Sequence, residues 1–350
     1  MTTTKRIFKE MLEKIYIPET MLHEKRIELL KPIVDYAYSI MPSQLFRYRE
    51  CSERNFDAFY NDKIYAVNAQ MFNDPYDCLL KYDKNYLYDT IKKGASKENI
   101  KQIRNLLKRG ELFPKELEYL YGEELSKIIN NTIYNATDED LDRLESKFEI
   151  NKKEFFNNIE MIFKEAEYFL RRNTFIACFS ETLKSITMWS HYANSHKGFV
   201  LAYNFRNSES QCDKCYKKEI CNDKLIHYIF PVIYDPVRYD GTSFVESYLG
   251  KYVGYNANTN DITFYTKAAL HKSPQWQYEK EWRLFLNKNN STGLSCLDIK
   301  IKPEAIYYGN DISPINKKIL SEIAKEKGLK EYQMYIDTQS DRYSMKYREL

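Results

Sequence analysis

Nowhere does an apolar run approach the roughly 20 residues of a spanning helix, and Met1 to Glu10 holds no apolar core of signal-peptide length. The chain is therefore expected to be cytoplasmic, with no membrane partner. It also lacks an excess of either charge. Lys+Arg 53 against Asp+Glu 50 leaves +3, without a long block of one sign, so only a local basic groove could attract nucleic acid. There is no Gly-rich phosphate loop, no H-E-x-x-H and no G-x-S-x-G, and the enzyme classes built on those motifs lose support. No internal repeat or low-complexity linker interrupts the 350 residues, and 43% hydrophobic content suffices for a substantial core.

Apolar spacing sets the expected organisation as an α+β chain with a small split β core of short strands from distant segments. Residues 1–41 read as two amphipathic helices broken near Pro18, and 42–84 as the first part of the core, with strands at Leu45–Arg49 and Ile64–Val67. Phe72-Asn73-Asp74-Pro75-Tyr76-Asp77 predicts a turn, because the residue before proline avoids the α region and Asx side chains bond their own backbone. Residues 85–172 read as a large helical insertion, 173–310 as the second part of the core, and 311–350 as a helix near Pro314–Lys327 followed by a strand near Tyr332–Ile336.

All three tryptophans fall in two polar-aromatic strings, Met188-Trp189-Ser190-His191-Tyr192 and Trp276-Gln277-Tyr278-Glu279-Lys280-Glu281-Trp282-Arg283. Tryptophan beside His, Glu and Arg builds a rigid wall around polar groups, so both strings suggest a site; core anchors flanked by solvated charges are the plain alternative. With period two, Glu279, Glu281 and Arg283 share a strand face opposite Trp282, Leu284 and Leu286. Carboxylates this close raise at least one pKa unless a cation compensates, so the face is either a polar site or an exposed one. Ser180-Glu181-Thr182 is expected to cap the helix carrying His191 and could present hydroxyls to a ligand. The seven cysteines are expected to be reduced, and Cys212, Cys215, Cys221 and His227, within 212–227, have spacing that could hold a structural zinc ion or could be plain thiols in a Lys-rich loop.

Arg47-Tyr48-Arg49, Phe72 to Asp77, Cys178-Phe179-Ser180, Met188 to Tyr192 with Lys197-Gly198, and Trp276-x2-Glu279-Lys280-Glu281-Trp282-Arg283 resemble, in this order from Leu45 to Gly309, a bacterial domain-of-unknown-function family, number 2971. That family name implies no activity. More distantly, the order Arg47, Ser180 to Tyr192, Glu279-Lys280-Glu281 is similar to the ADP-ribosyltransferase fold, although the usual Ser-Thr-Ser form of the middle motif is missing. This similarity implies an enzyme that uses NAD to modify a macromolecule, nucleic acid or protein, in phage defence or as a toxin. Arg47 would then bind the pyrophosphate, with Ser180 and Asn73 nearby, while Tyr192 and Trp189 stack on nicotinamide. Glu281 would stabilise the positive charge developing on the ribose, Glu279 would orient or deprotonate the acceptor group, and His191 is a further catalytic candidate as an acid or base. Two other classes stay open. One is a nuclease in which Asp74, Asp77, Glu279, Glu281 and His191 gather magnesium or manganese; the other is a non-catalytic ligand sensor of a defence system. The sequence carries no expectation about oligomeric state.

Overall fold

A computed structural model describes residues 2–94, 96–110, 128, 131–150, 156–157, 160–161, 164, 167–168, 171–172, 174–205, 228–253, 261–286, 294, 296–341 and 343–350. Cys212, Cys215, Cys221 and His227, the expected zinc ligands, lie outside the described residues. Short segments, alternating in β2 and buried on both faces in β4 and β10, form the strands β1 (Leu45–Arg49), β2 (Lys63–Asn68), β3 (Phe175–Ser180), β4 (Phe199–Tyr203), β5 (Tyr228–Pro231), β6 (Ile233–Tyr234), β7 (His271–Lys272), β8 (Glu281–Leu286), β9 (Cys296–Lys300), β10 (Ala305–Tyr308), β11 (Lys330–Ile336) and β12 (Met345–Glu349). The helices α1 (Thr3–Lys14) and α2 (His23–Ile40) bury Phe8, Leu12, Ile33 and Ala37 against Phe230, Ile233 and Leu270, with the chain break at Pro18 where expected.

The fold is α+β, and the main sheet is mostly antiparallel. Its two arms, β12-β11-β10-β4-β1 and β9-β2-β3-β8-β5, meet at β3. One edge of β3 pairs with β8 along its whole length. The other edge is shared: β1 touches it through Phe46 and Ser180, and β2 through Val67 with Ile176 and Asn68 with Phe175. The sheet therefore splits over the middle of β3. Across the split, the Arg47 guanidinium donates through Nη2 to the Tyr65 carbonyl at 2.6 Å, standing where a ladder bond would otherwise run.

Several elements differ from expectation. The segment Ile229–Tyr234 is two strands, because Pro231 has no N–H to continue the ladder. Val232 N–H donates to the Glu281 carbonyl, and β6 leaves to pair in parallel with β7. Helix α3 (Glu53–Tyr60) and the edge strand β12 were not expected. Helical segments Lys84–Gly94, Lys97–Arg109 and Asp138–Ile150 lie where the helical insertion was anticipated. Pro314–Glu326 forms the late helix, with Ser313 capping it through Asn316 N–H.

Candidate functional site

Where the sheet splits, a cleft of about 620 Å³ opens, within the range of ligand pockets. Its floor is Cys178 and Phe179 of β3, and its sides come from β1, β2, the Asn-Asp-Pro turn and the helix Ile186–Tyr192. One end holds Arg47, Arg49 and Arg54. Among the described residues none of these guanidinium groups has a carboxylate within 4.0 Å. Arg47 is only 7% exposed, lies over the Phe179 ring at 5.3 Å, and leaves Nε and Nη1 buried without a partner. Burial holds its pKa below the ordinary arginine value. A desolvated cation with free donors is costly alone, so the chemistry of this end suits an anion.

The other end is acidic and fully wired. Arg283 is completely buried and forks onto Asp77, Nη1 to Oδ1 at 2.6 Å and Nη2 to Oδ2 at 2.5 Å. Its other side holds Glu281, through Nε at 2.9 Å and Nη2 at 3.1 Å. Lys272 Nζ donates to Glu279 Oε2 at 2.6 Å and to Glu281 Oε2 at 3.1 Å. The turn delivers Asp77: Tyr76 N–H bonds Asp74 Oδ1 and Asp77 N–H bonds the Asp74 carbonyl, as the Asn-Asp-Pro motif predicts. Strand β6 delivers Lys272 by pairing with β7, and Tyr234 Oη accepts from Glu281 N–H at 2.9 Å.

Asp77, Glu279 and Glu281 thus meet Lys272 and Arg283, one acid more than the cations can neutralise. Burial alone would raise Glu281, but Arg283 and Lys272 outweigh it and hold its carboxyl far below the usual range. Burial, reinforced by Glu281, raises Glu279 despite the opposing pull of Lys272. The two glutamates are therefore shifted in opposite directions, Glu281 down and Glu279 up. Tyr192 donates to Glu279 Oε1 at 2.5 Å and accepts from Asn73 Nδ2 at 3.1 Å, which orients its hydroxyl.

Several expected site residues thus gather at one cleft: Arg47, Asn73, Ser180, His191, Tyr192, Glu279 and Glu281 all line it. The reasons differ from those the sequence suggested. Glu279 and Glu281 do not share a strand; Glu279 closes the 3-10 turn Pro274–Glu279, Lys280 turns left-handed at φ 44, and only then does β8 begin. Ser180 is not free for a ligand, since its hydroxyl donates to the Glu279 carbonyl at 2.6 Å and accepts from Thr182 N–H. Nor does the 180–182 cluster cap the helix; Ser185 does, through Met188 N–H. Trp189 has no exposed face to stack on nicotinamide. It is 0% exposed, gives Nε1–H to the Leu183 carbonyl at 2.7 Å and packs edge-on against Tyr48. His191 stands exposed at the rim. Lys272, Arg49 and Arg54 were missed as site residues. Lys272 follows an apolar helix in a stretch with no motif, whereas an arginine inside Trp-Arg-Leu-Phe-Leu already demanded a buried counter-ion.

Among the described residues no group of three or more His, Cys, Asp and Glu side chains is arranged to hold a metal ion. Of the carboxylates named for a nuclease, Asp77, Glu279 and Glu281 are paired with Lys272 and Arg283, and Asp74 holds the turn through Tyr76 N–H. No described helix is long and apolar enough to cross a membrane.

The network sets a pH dependence. Glu281, with its lowered pKa, contributes stability above its ordinary value of 4.5 and loses it as pH falls through the folded value. Glu279, raised, works in the opposite sense: its contribution is present below 4.5 and lost as pH rises through its folded value. Urea midpoints measured from acid to neutral pH should fall steeply below 4.5, and Glu281→Gln should flatten that decline while Glu279→Gln leaves it in place. A parallel acid limb in all three proteins would contradict the assignment.

Fold and site together define an α+β protein with a ligand-sized cleft, cationic at one end and acidic at the other. Residues 188–284 match the model of a family described as Protein of unknown function (DUF2971), a shorter stretch than Leu45 to Gly309 but one that includes Tyr192, Lys272, Glu279, Glu281 and Arg283. No curated protein and no solved structure matches the chain.

Proposed function

We propose that the cleft binds NAD and that the protein transfers ADP-ribose to a macromolecular acceptor, nucleic acid or protein, as a toxin or in phage defence. The single observation behind this reading is that one cleft is lined by Arg47, buried with Nε and Nη1 free, and by Glu279, whose carboxyl burial holds above the usual range. The free donors of Arg47, with Arg49 and Arg54 beside it, suit a pyrophosphate. When bound, NAD supplies an ADP-ribosyl group whose bond to nicotinamide breaks with both electrons leaving on nicotinamide and positive charge developing on the ribose.

In this reading Glu281 is not the group that meets that charge. It is held by two cations, Arg283 and Lys272, and serves as their fixed counter-ion, whereas Glu279 shares only Lys272 and takes its other bond from the neutral Tyr192 hydroxyl. Glu279, ionised, would face the developing charge and then take the proton of the attacking acceptor group. Tyr192 positions that carboxylate, and its ring offers a surface for nicotinamide in place of Trp189.

The test is nicotinamide release from NAD and transfer of labelled ADP-ribose to lysate protein or nucleic acid. Glu279→Gln should lower turnover by about 100-fold with KM little changed. Arg47→Leu should raise KM instead. A thermal shift with NAD but no turnover would favour the sensor, EDTA-sensitive nucleic-acid cleavage the nuclease, and neither binding nor turnover of NAD sinks the proposal.

A further inference from the structure

A second surface, away from the acid network, begins inside the cleft. Phe46, which lines the cleft, packs edge-on against Tyr307 with ring centroids 6.0 Å apart. Tyr307 stacks on Tyr332 at 4.7 Å, and Tyr347 stands edge-on to both at 5.3 and 5.5 Å. Four rings thus run in series from β1 across β10 and β11 to the edge strand β12, all on one face of the sheet. Beside them lies a cavity of about 640 Å³ lined by Tyr307, Tyr332, Tyr347, Lys302 and Lys330.

From this arrangement we infer that the face is a binding surface for single-stranded nucleic acid. Tyr347 is 42% exposed, and the Lys184 ammonium lies over its ring at 5.8 Å, so a ring and a cation are offered together to a base and its phosphate. Lys302 and Lys330 are exposed, and among the described residues neither has a carboxylate within 4.0 Å. The acids on this side are Glu304, which accepts from Gln44 Nε2 at 3.3 Å, and Glu349 near Tyr307. Unpaired lysines beside rings match a polymer that alternates phosphates with flat bases. A duplex hides its base faces, and an unstructured peptide brings no regular anions for the lysines. DNA and RNA share the chemistry required, so the experiment uses both.

The inference goes beyond the proposed transferase and is tested without NAD. Fluorescence anisotropy of the full chain with labelled single strands of roughly 12 nucleotides, DNA and RNA in parallel, should give saturable binding. The matching duplexes should bind about tenfold more weakly. Tyr347→Ala should weaken the single strand about tenfold, and Lys302→Glu with Lys330→Glu should flatten the salt dependence. Glu279→Gln should bind like the parent, which separates this surface from the chemistry of the cleft. Equal affinity for duplex and single strand, indifference to both sets of substitutions, or binding of an unstructured peptide but of no oligonucleotide would each overturn it.

Discussion

Replacing Arg283 by methionine is expected to lower the free energy of unfolding by about 3–5 kcal/mol, measured by urea titration at neutral pH. The side chain is 0% exposed and answers Asp77, Glu281 and the Ala269 carbonyl at once, with the Phe72 ring 5.2 Å from its guanidinium carbon. Methionine fills much of the volume but leaves two carboxylates buried with Lys272 as their remaining cation. The cost comes from those stranded charges more than from lost attraction. Removing Asp77 as well, in Arg283→Met with Asp77→Leu, should therefore recover part of the stability, giving a coupling energy of about 1–3 kcal/mol. Strictly additive effects, or a loss below about 1 kcal/mol for the single change, would mean that the network is not the anchor of the cleft.

Gly309→Ala should be nearly as damaging, on the order of 3 kcal/mol, for a reason unrelated to charge. A Cβ on Gly309 would lie 2.1 Å from the His196 carbonyl oxygen and 2.8 Å from that of Gly198. Neither neighbour can yield easily. Asn194, Ser195 and His196 are all left-handed, at φ 45, 51 and 66, and Gly309 N–H and Asp311 N–H hold the Gly198 and His196 carbonyls. This loop follows the helix that carries Tyr192, so displacing it should also disturb the Tyr192–Glu279 bond. Gly328→Ala is the control. Its φ of +65 is unfavourable for alanine, but nothing lies within 4 Å of the new methyl, so the loss should stay near about 1 kcal/mol. Thermal or urea unfolding of the pair decides the matter: equal losses would show that conformation, not contact, governs Gly309.

Much of the fold was legible because its signals are local. Leu45–Arg49 and Phe175–Ser180 announce strands by composition, and Asn-Asp-Pro announces its turn by backbone sterics. The site was legible at the level of which segments converge, since Trp, Glu and Arg in one short string seldom form a plain surface. What the sequence hid was division of labour. The adjacent glutamates look alike in the string, and only the position of Lys272 and Arg283 pulls the Glu281 carboxyl down while burial leaves that of Glu279 raised. Trp189 likewise could be ring wall or ligand platform until its burial against Tyr48 was known. The helix at Glu53–Tyr60 was invisible for another reason: at eight residues it spans barely two turns, too short for an apolar stripe to declare itself.

The parentage of the sheet bears on how the chain comes into being. Strand β1 pairs Leu45 with Tyr203, and β2 pairs Lys63 with Lys300, so early strands wait for partners made much later. Such pairings carry a large loop-closure penalty and mature slowly. A chain that ends before Glu279 holds Arg47 but lacks the acidic end of the crevice, so the two ends can meet only late in synthesis.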